Sequence, residues 1–138
     1  MGRLGRLLGA AHHREGGSVT VEFGLMVPIL VLLISGMVEF GMAYSVRLNL
    51  THAAREGVRV YSLVDGGNWQ NTTQTSAAMD PATVTPVSSG NCPTPSNPPS
   101  PAPQAWVEAR RNSYPIRIAF IPAMTVNLRG RAVMRCGG

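Results

Sequence analysis

Gly17-Ser18-Val19-Thr20-Val21-Glu22-Phe23 opens the stretch on which the fold turns, and the same run continues without a break to Leu63. From Phe23 to Tyr44 the chain is strongly apolar, with Glu39 the only charge. As a helix those residues, about 22 of them, rise about 33 Å, enough to cross a hydrocarbon layer of about 30 Å. A transmembrane helix over 18–44 follows. Pro28 lies near its start, where it removes one backbone donor and is expected to loosen or bend the helix locally.

Beyond Tyr44 the composition changes and the period does not. Val46, Leu50, Ala53, Gly57, Val60 and Val64 recur at three- and four-residue spacing, while Arg47, Thr51, Arg55 and Arg59 mark another face. The pattern predicts an amphipathic stalk helix over 45–64, continuous with the span and stopping near Asp65-Gly66-Gly67. An apolar stripe outside a membrane must pack on something. His52 on this helix reads as a surface residue rather than a ligand.

Before the span, residues 1–17 carry Arg3, Arg6 and Arg14 around a short, broken apolar patch. This is a basic leader that stays on the cytoplasmic side, not the core of a secretory signal. Arg47, Arg55 and Arg59 follow the span, so charge counting leaves its orientation tied.

The spacing around Glu22 breaks the tie. A cut after Gly17 makes Ser18 the first residue and Glu22 the fifth. The new amine and a carboxylate one turn later can neutralise each other, within one chain or between neighbours. An unpaired carboxylate deep in a bilayer costs about 2.5–3.5 kcal/mol, whereas a paired one fixes the axial register of one subunit against the next. Glu22 with Phe23 is therefore the candidate registration pair, and Gly17–Ser18 the candidate processing site. A Glu22 that snorkels to the headgroups is the plain alternative. Glu39 falls about 24 Å along the span and reads as an interfacial carboxylate.

The motifs Gly17-Ser18-Val19-Thr20-Val21-Glu22-Phe23, Pro28, Val38-Glu39-Phe40-Gly41 and Ala53-Ala54-Arg55-Glu56-Gly57-Val58-Arg59 stand together in order and spacing. In this the chain resembles the TadE-like family over about residues 16–60. Members of that family are minor pilins or pseudopilins of the tight-adherence (Flp) pilus, a branch of the type IV pilus systems. The resemblance implies cleavage after Gly17 by a prepilin peptidase of the aspartic membrane-protease class. It also implies the fifth-residue role for Glu22, and as partners other pilin subunits and the tight-adherence inner-membrane platform. The expected location is the inner membrane, single-pass, with the C-terminal domain outside the cytoplasm and open to incorporation in an extracellular pilus.

Residues 65–138 are expected to form a small extracytoplasmic β-rich domain. A short helix is expected over 68–79 and a short strand over 82–87. Residues 88–104 form a solvated loop with Pro93, Pro95, Pro98, Pro99, Pro101 and Pro103. The clearest strand signal is the alternation of Tyr114, Ile116, Ile118 and Phe120, followed by that of Met124, Val126, Leu128, Ala132 and Met134. These predict an antiparallel hairpin turning at Ile121-Pro122-Ala123, with even-numbered residues facing inward. Gly130 in the inward series marks a bulge or a close approach. Trp106 and Val107 could supply another strand. Arg117, Arg129, Arg131 and Arg135 would share the outer side, either as a solvated face or as a surface for anionic partners. The fold class is α+β: a long N-terminal helix packed on a small antiparallel sheet.

Cys92 and Cys136 are the chain's two cysteines. Outside the cytoplasm one such pair reads as a disulfide, with two buried free thiols as the alternative.

The net charge of +5 comes from twelve Arg, with no Lys, scattered along the chain rather than gathered in a stripe, which argues against nucleic acid as a partner. No nucleophile–base, metal-ligand or phosphate-loop pattern appears, so an enzyme and a bound cofactor are not expected. Two other functions compete with the pilin: an unprocessed, membrane-anchored binding domain, and a domain secreted after signal-peptidase cleavage near Ala43.

Overall fold

The computed structural model describes residues 16–63, 67–89, 92 and 104–136. Nearly all of the leader, the expected helix stop at Asp65-Gly66, Val64 and most of the Pro-rich loop lie outside the described residues.

One helix, α1 (Gly16–Leu63), runs for 48 residues and passes through Pro28 without interruption. It is long and apolar enough to cross a membrane. A second, short helix, α2 (Trp69–Thr75), leads to a 3-10 turn at Pro81–Thr83, where the Asp80 carboxylate accepts a hydrogen bond from the Ala82 amide at 3.1 Å. Three strands follow, β1 (Thr85–Ser89), β2 (Gln104–Ile116) and β3 (Met124–Arg135), in an antiparallel sheet with β2 at its centre. The architecture is α+β: a long helix laid across one face of a three-stranded sheet.

The stripe read from the sequence is the face that packs. Leu50, Ala53, Ala54, Gly57 and Val58 are buried, while Arg47, His52, Arg55 and Arg59 are exposed. Leu50, Ala53 and Ala54 form one core cluster with Ala77, Val84 and Ala109. Val58 forms a second with Trp69, Ala105 and Val107. Small residues on both sides let helix and sheet approach closely. Gly130, on the inward side of β3, lies against the α1 backbone at Leu50 and Thr51.

Several sequence expectations shift. The strand expected to begin near Tyr114 begins at Gln104 and ends at Ile116, so Trp106 and Val107 belong to the same strand and not to a separate one. Inward residues on β2 are odd-numbered at Ala105, Val107 and Ala109, then even-numbered at Tyr114 and Ile116. The change of phase is a bulge. Arg111 pairs with Leu128 and Tyr114 with Val126, leaving Asn112 and Ser113 opposite Asn127. Ser113 takes a positive φ of 55°, and its amide donates to the Asn127 side-chain oxygen at 3.0 Å.

Ile118 and Phe120 are not strand residues. The Ile121 amide donates to the Ile118 carbonyl at 3.1 Å, and Phe120 adopts φ 65°, a conformation that closes a turn and that a strand does not permit. Arg117 accordingly sits in the connection rather than on the strand face. The first strand lies at 85–89, displaced from the expected 82–87 by the turn at Pro81. On β3 the even-numbered alternation holds through Val126, Leu128, Gly130 and Ala132.

Candidate processing and assembly site

The residues singled out for processing and registration occupy the first turns of α1. Gly16 and Gly17 begin the helix, and there the first amides have no intrahelical partners. Glycine also costs up to about 1 kcal/mol per residue in a helix relative to alanine, so this end opens easily into the extended chain a peptidase would require. A side chain placed at Gly17 would meet nothing within 4 Å. Among the described residues nothing covers the Gly17–Ser18 bond.

Four residues on from Ser18, Glu22 falls on the same face of the helix, one turn away. A free amine at Ser18 would lie within reach of that carboxylate. Glu22 is exposed, and it has no ion-pair or hydrogen-bond partner among the described residues. Phe23 beside it is 71 % exposed. Whatever Glu22 pairs with must come from a new N-terminus, from another molecule, or from outside the described residues.

From Val19 to Ile34 the large apolar side chains are exposed on every side of α1. Nothing among the described residues of the domain covers this half. A covered stripe starts inside the segment expected to span the membrane, with Ser35, Gly36 and Glu39 half-buried, and continues through Ala43 and Val46 to the fully buried Leu50. The first contact is explicit: the Ala119 amide, in the β2–β3 connection, donates to Ser35 Oγ at 3.2 Å. Composition gave no hint of it, because Ser35 looks like any small residue of an apolar span.

Cys92 and Cys136 are disulfide-bonded, with Cα atoms 5.2 Å apart, and both pack beside the cluster of Val58, Trp69, Ala105 and Val107. The bond fastens the segment between β1 and β2 to the residue just after β3.

On the outer face of the sheet, Arg129, Arg131 and Arg135 are exposed as expected, and β2 adds Arg110 and Trp106. Arg131 stacks over Trp106 at 4.3 Å from the ring centre. Glu108 lies at the middle of this face, 6 % exposed, and forms a 2.5 Å ion pair with Arg110. Arg131 is its direct neighbour on β3. The basic face is thus partly neutralised from within. The alternation Trp106-Glu108-Arg110 carried that signal, but it was out of phase with the residues after Ser113.

Among the described residues no three His, Cys, Asp or Glu side chains gather in a way that could hold a metal ion. No curated protein and no solved structure matches the chain. Residues 17–59, from the candidate cut site through the packed stripe of α1, match the family model described as TadE-like protein.

Proposed function

We propose that the chain is a non-enzymatic minor pilin or pseudopilin of the tight-adherence pilus, cut after Gly17 by a prepilin peptidase and then taken into pilus assembly or adhesion. The TadE-like match points to the tight-adherence machinery in general. One observation carries the finer role: the family match begins at Gly17, five residues before Glu22, on a helix whose N-terminal half is left bare by the described part of the domain. Such a half-helix suits a lipid environment before assembly and contact with neighbouring copies after it. Glu22, unpartnered within the described chain, then pairs with the Ser18 amine of its own or an adjacent subunit and sets the register. The partners are other pilin subunits, the peptidase and the inner-membrane platform. The C-terminal domain stands outside the cytoplasm.

The N-terminal residue of the protein isolated from its host tests this assignment. Ser18 supports the pilin. Met1 or Gly2 would instead indicate an unprocessed membrane anchor, and Tyr44 a secreted domain. The last is disfavoured by the burial of Ala43 within a continuous helix, where a signal peptidase would have to unwind packed structure.

A further inference from the structure

The connection between β2 and β3 is Arg117-Ile118-Ala119-Phe120-Ile121-Pro122-Ala123, leading into Met124. Hairpin connections are ordinarily built from Gly, Asn, Asp and Ser and face water. From Ile118 to Met124 this one has no polar side chain. Phe120 is 77 % exposed, and Met124 and Ile121 are exposed beside it. Two of its amides are bonded within the chain: the Ile121 amide donates to the Ile118 carbonyl, and the Ala119 amide to Ser35 Oγ. Ser35 Oγ in turn donates to the Leu32 carbonyl at 3.0 Å. An apolar side-chain surface is what contact with acyl chains at the membrane boundary demands of a loop.

Its height along α1 points the same way. Ser35 lies about 18 Å from Phe23 along the helix, roughly midway through the expected span. Moving the start of the membrane back to Gly17 still carries a layer of about 30 Å to about residue 37, beyond Ser35. Tilting the helix places more of it in the layer. With the layer starting anywhere from Gly17 to Phe23, the Ser35–Ala119 contact falls within it.

We propose that Ile118–Met124 is a second membrane-contacting element, inserted beside α1 into the leaflet on the side of the domain. Phe120, Ile121 and Met124 meet the acyl chains, and the exposed Arg117 at the base of the tip reaches the headgroup phosphates. The domain is thereby seated on the membrane with a fixed orientation, rather than held above it on a stalk. This rests on α1 spanning the bilayer.

The test uses the full chain in phosphatidylethanolamine/phosphatidylglycerol vesicles carrying a nitroxide on the acyl chains. Single variants Phe120→Cys, Leu30→Cys and Asn71→Cys are labelled with an environment-sensitive fluorophore under non-reducing conditions, with Ile121→Cys as a second probe of the tip. Leu30 reports the span, and Asn71, exposed on α2, reports the far side of the domain. The expected result is loss of most of the emission at positions 30 and 120 and none at 71. Quenching at 30 with position 120 behaving like 71 would overturn the insertion while leaving the span intact. A probe at 120 shielded from aqueous iodide yet untouched by the lipid nitroxide would also overturn it, since a protein would then be the cover. Absence of quenching at both 30 and 120 would remove the spanning helix and the insertion together.

Discussion

Gly130 of β3 is in direct contact with the backbone of Thr51 on α1. A Cβ built on Gly130 would stand 2.6 Å from Thr51 Cα and 2.5 Å from the Leu50 carbonyl carbon, and would also strike the Thr51 amide nitrogen. The obstructing atoms are helix backbone, which cannot rotate away as a side chain can. Gly130→Ala is therefore expected to push the sheet off α1 and destabilise the domain by about 1–3 kcal/mol. A thermal melt of the full chain in detergent measures it. An unchanged melting temperature would mean that helix and sheet are not packed in this register.

Gly57 offers a contrasting case. Its absent Cβ faces the side chain of Thr73, whose Cβ would lie 3.2 Å away and whose hydroxyl would clash outright. Thr73 is fully buried, and its hydroxyl donates to the Trp69 carbonyl at 2.7 Å. Gly57→Ala should destabilise the α1–α2 contact. Here a second substitution can relieve the clash, so Gly57→Ala/Thr73→Ala should recover part of the lost melting temperature relative to Gly57→Ala alone. No recovery would place the clash elsewhere.

What could be seen in the sequence and what could not divides along physical lines. The stripe Val46-Leu50-Ala53-Gly57 and the inward series on β3 were legible because each follows one unbroken period. β2 was not, because the bulge at Asn112–Ser113 shifts its phase midway, and an alternation read from Tyr114 cannot be extended back to Ala105. The strand character of Ile118 and Phe120 was overread: apolar alternation continues through a turn whose residues are apolar for another reason. The Ser35–Ala119 hydrogen bond depends on how far down α1 the sheet is seated. Tertiary register sets that, and no local pattern reports it. At the N-terminal end of α1, Gly17, Ser18 and Glu22 stand out in the sequence as a spacing, while their lack of cover by the described part of the domain is a property of the fold.

The disulfide should be detectable by chemistry. Thiol alkylation of the denatured, unreduced protein should leave Cys92 and Cys136 unmodified, with both labelled after reduction. Closing a loop of about 45 residues is worth about 4 kcal/mol on the chain-entropy estimate, so Cys92→Ser/Cys136→Ser should lower the melting temperature substantially. Alkylation without prior reduction would show two free thiols instead.

Glu108 and Arg110 should respond unequally to removal. The Glu108 side chain is 7 % exposed and that of Arg110 44 %. Glu108→Ala leaves Arg110 and its diagonal neighbour Arg131 without a counter-charge between them and removes the buried acceptor, at an expected cost of about 1–3 kcal/mol. Arg110→Ala removes a half-solvated partner while Arg131 remains beside Glu108, and should cost less than about 1 kcal/mol. Urea denaturation of the two variants compares them directly. Equal costs would contradict the neutralising role assigned to Glu108.

Glu22 is the residue whose loss should separate processing from assembly. It is exposed on α1, away from the helix–sheet contact, and has no partner among the described residues. Glu22→Ala should consequently leave the melting temperature of the domain unchanged. In the proposed order of events the cut after Gly17 precedes any pairing of Glu22, so the mature protein should still begin at Ser18. Pilus assembly is where the substitution should act. Without the carboxylate, the Ser18 amine of one subunit has no counter-charge at the fifth position of its own or the next, and nothing polar resists axial sliding in an apolar bundle. Glu22→Asp keeps the charge on a shorter arm and should retain part of the yield. The measurements are N-terminal sequencing of the membrane fraction and the amount of sheared pilus from the same cells. Wild-type pilus yield from Glu22→Ala cells would eliminate the registration role, and accumulation of uncut precursor would move Glu22 into peptidase recognition.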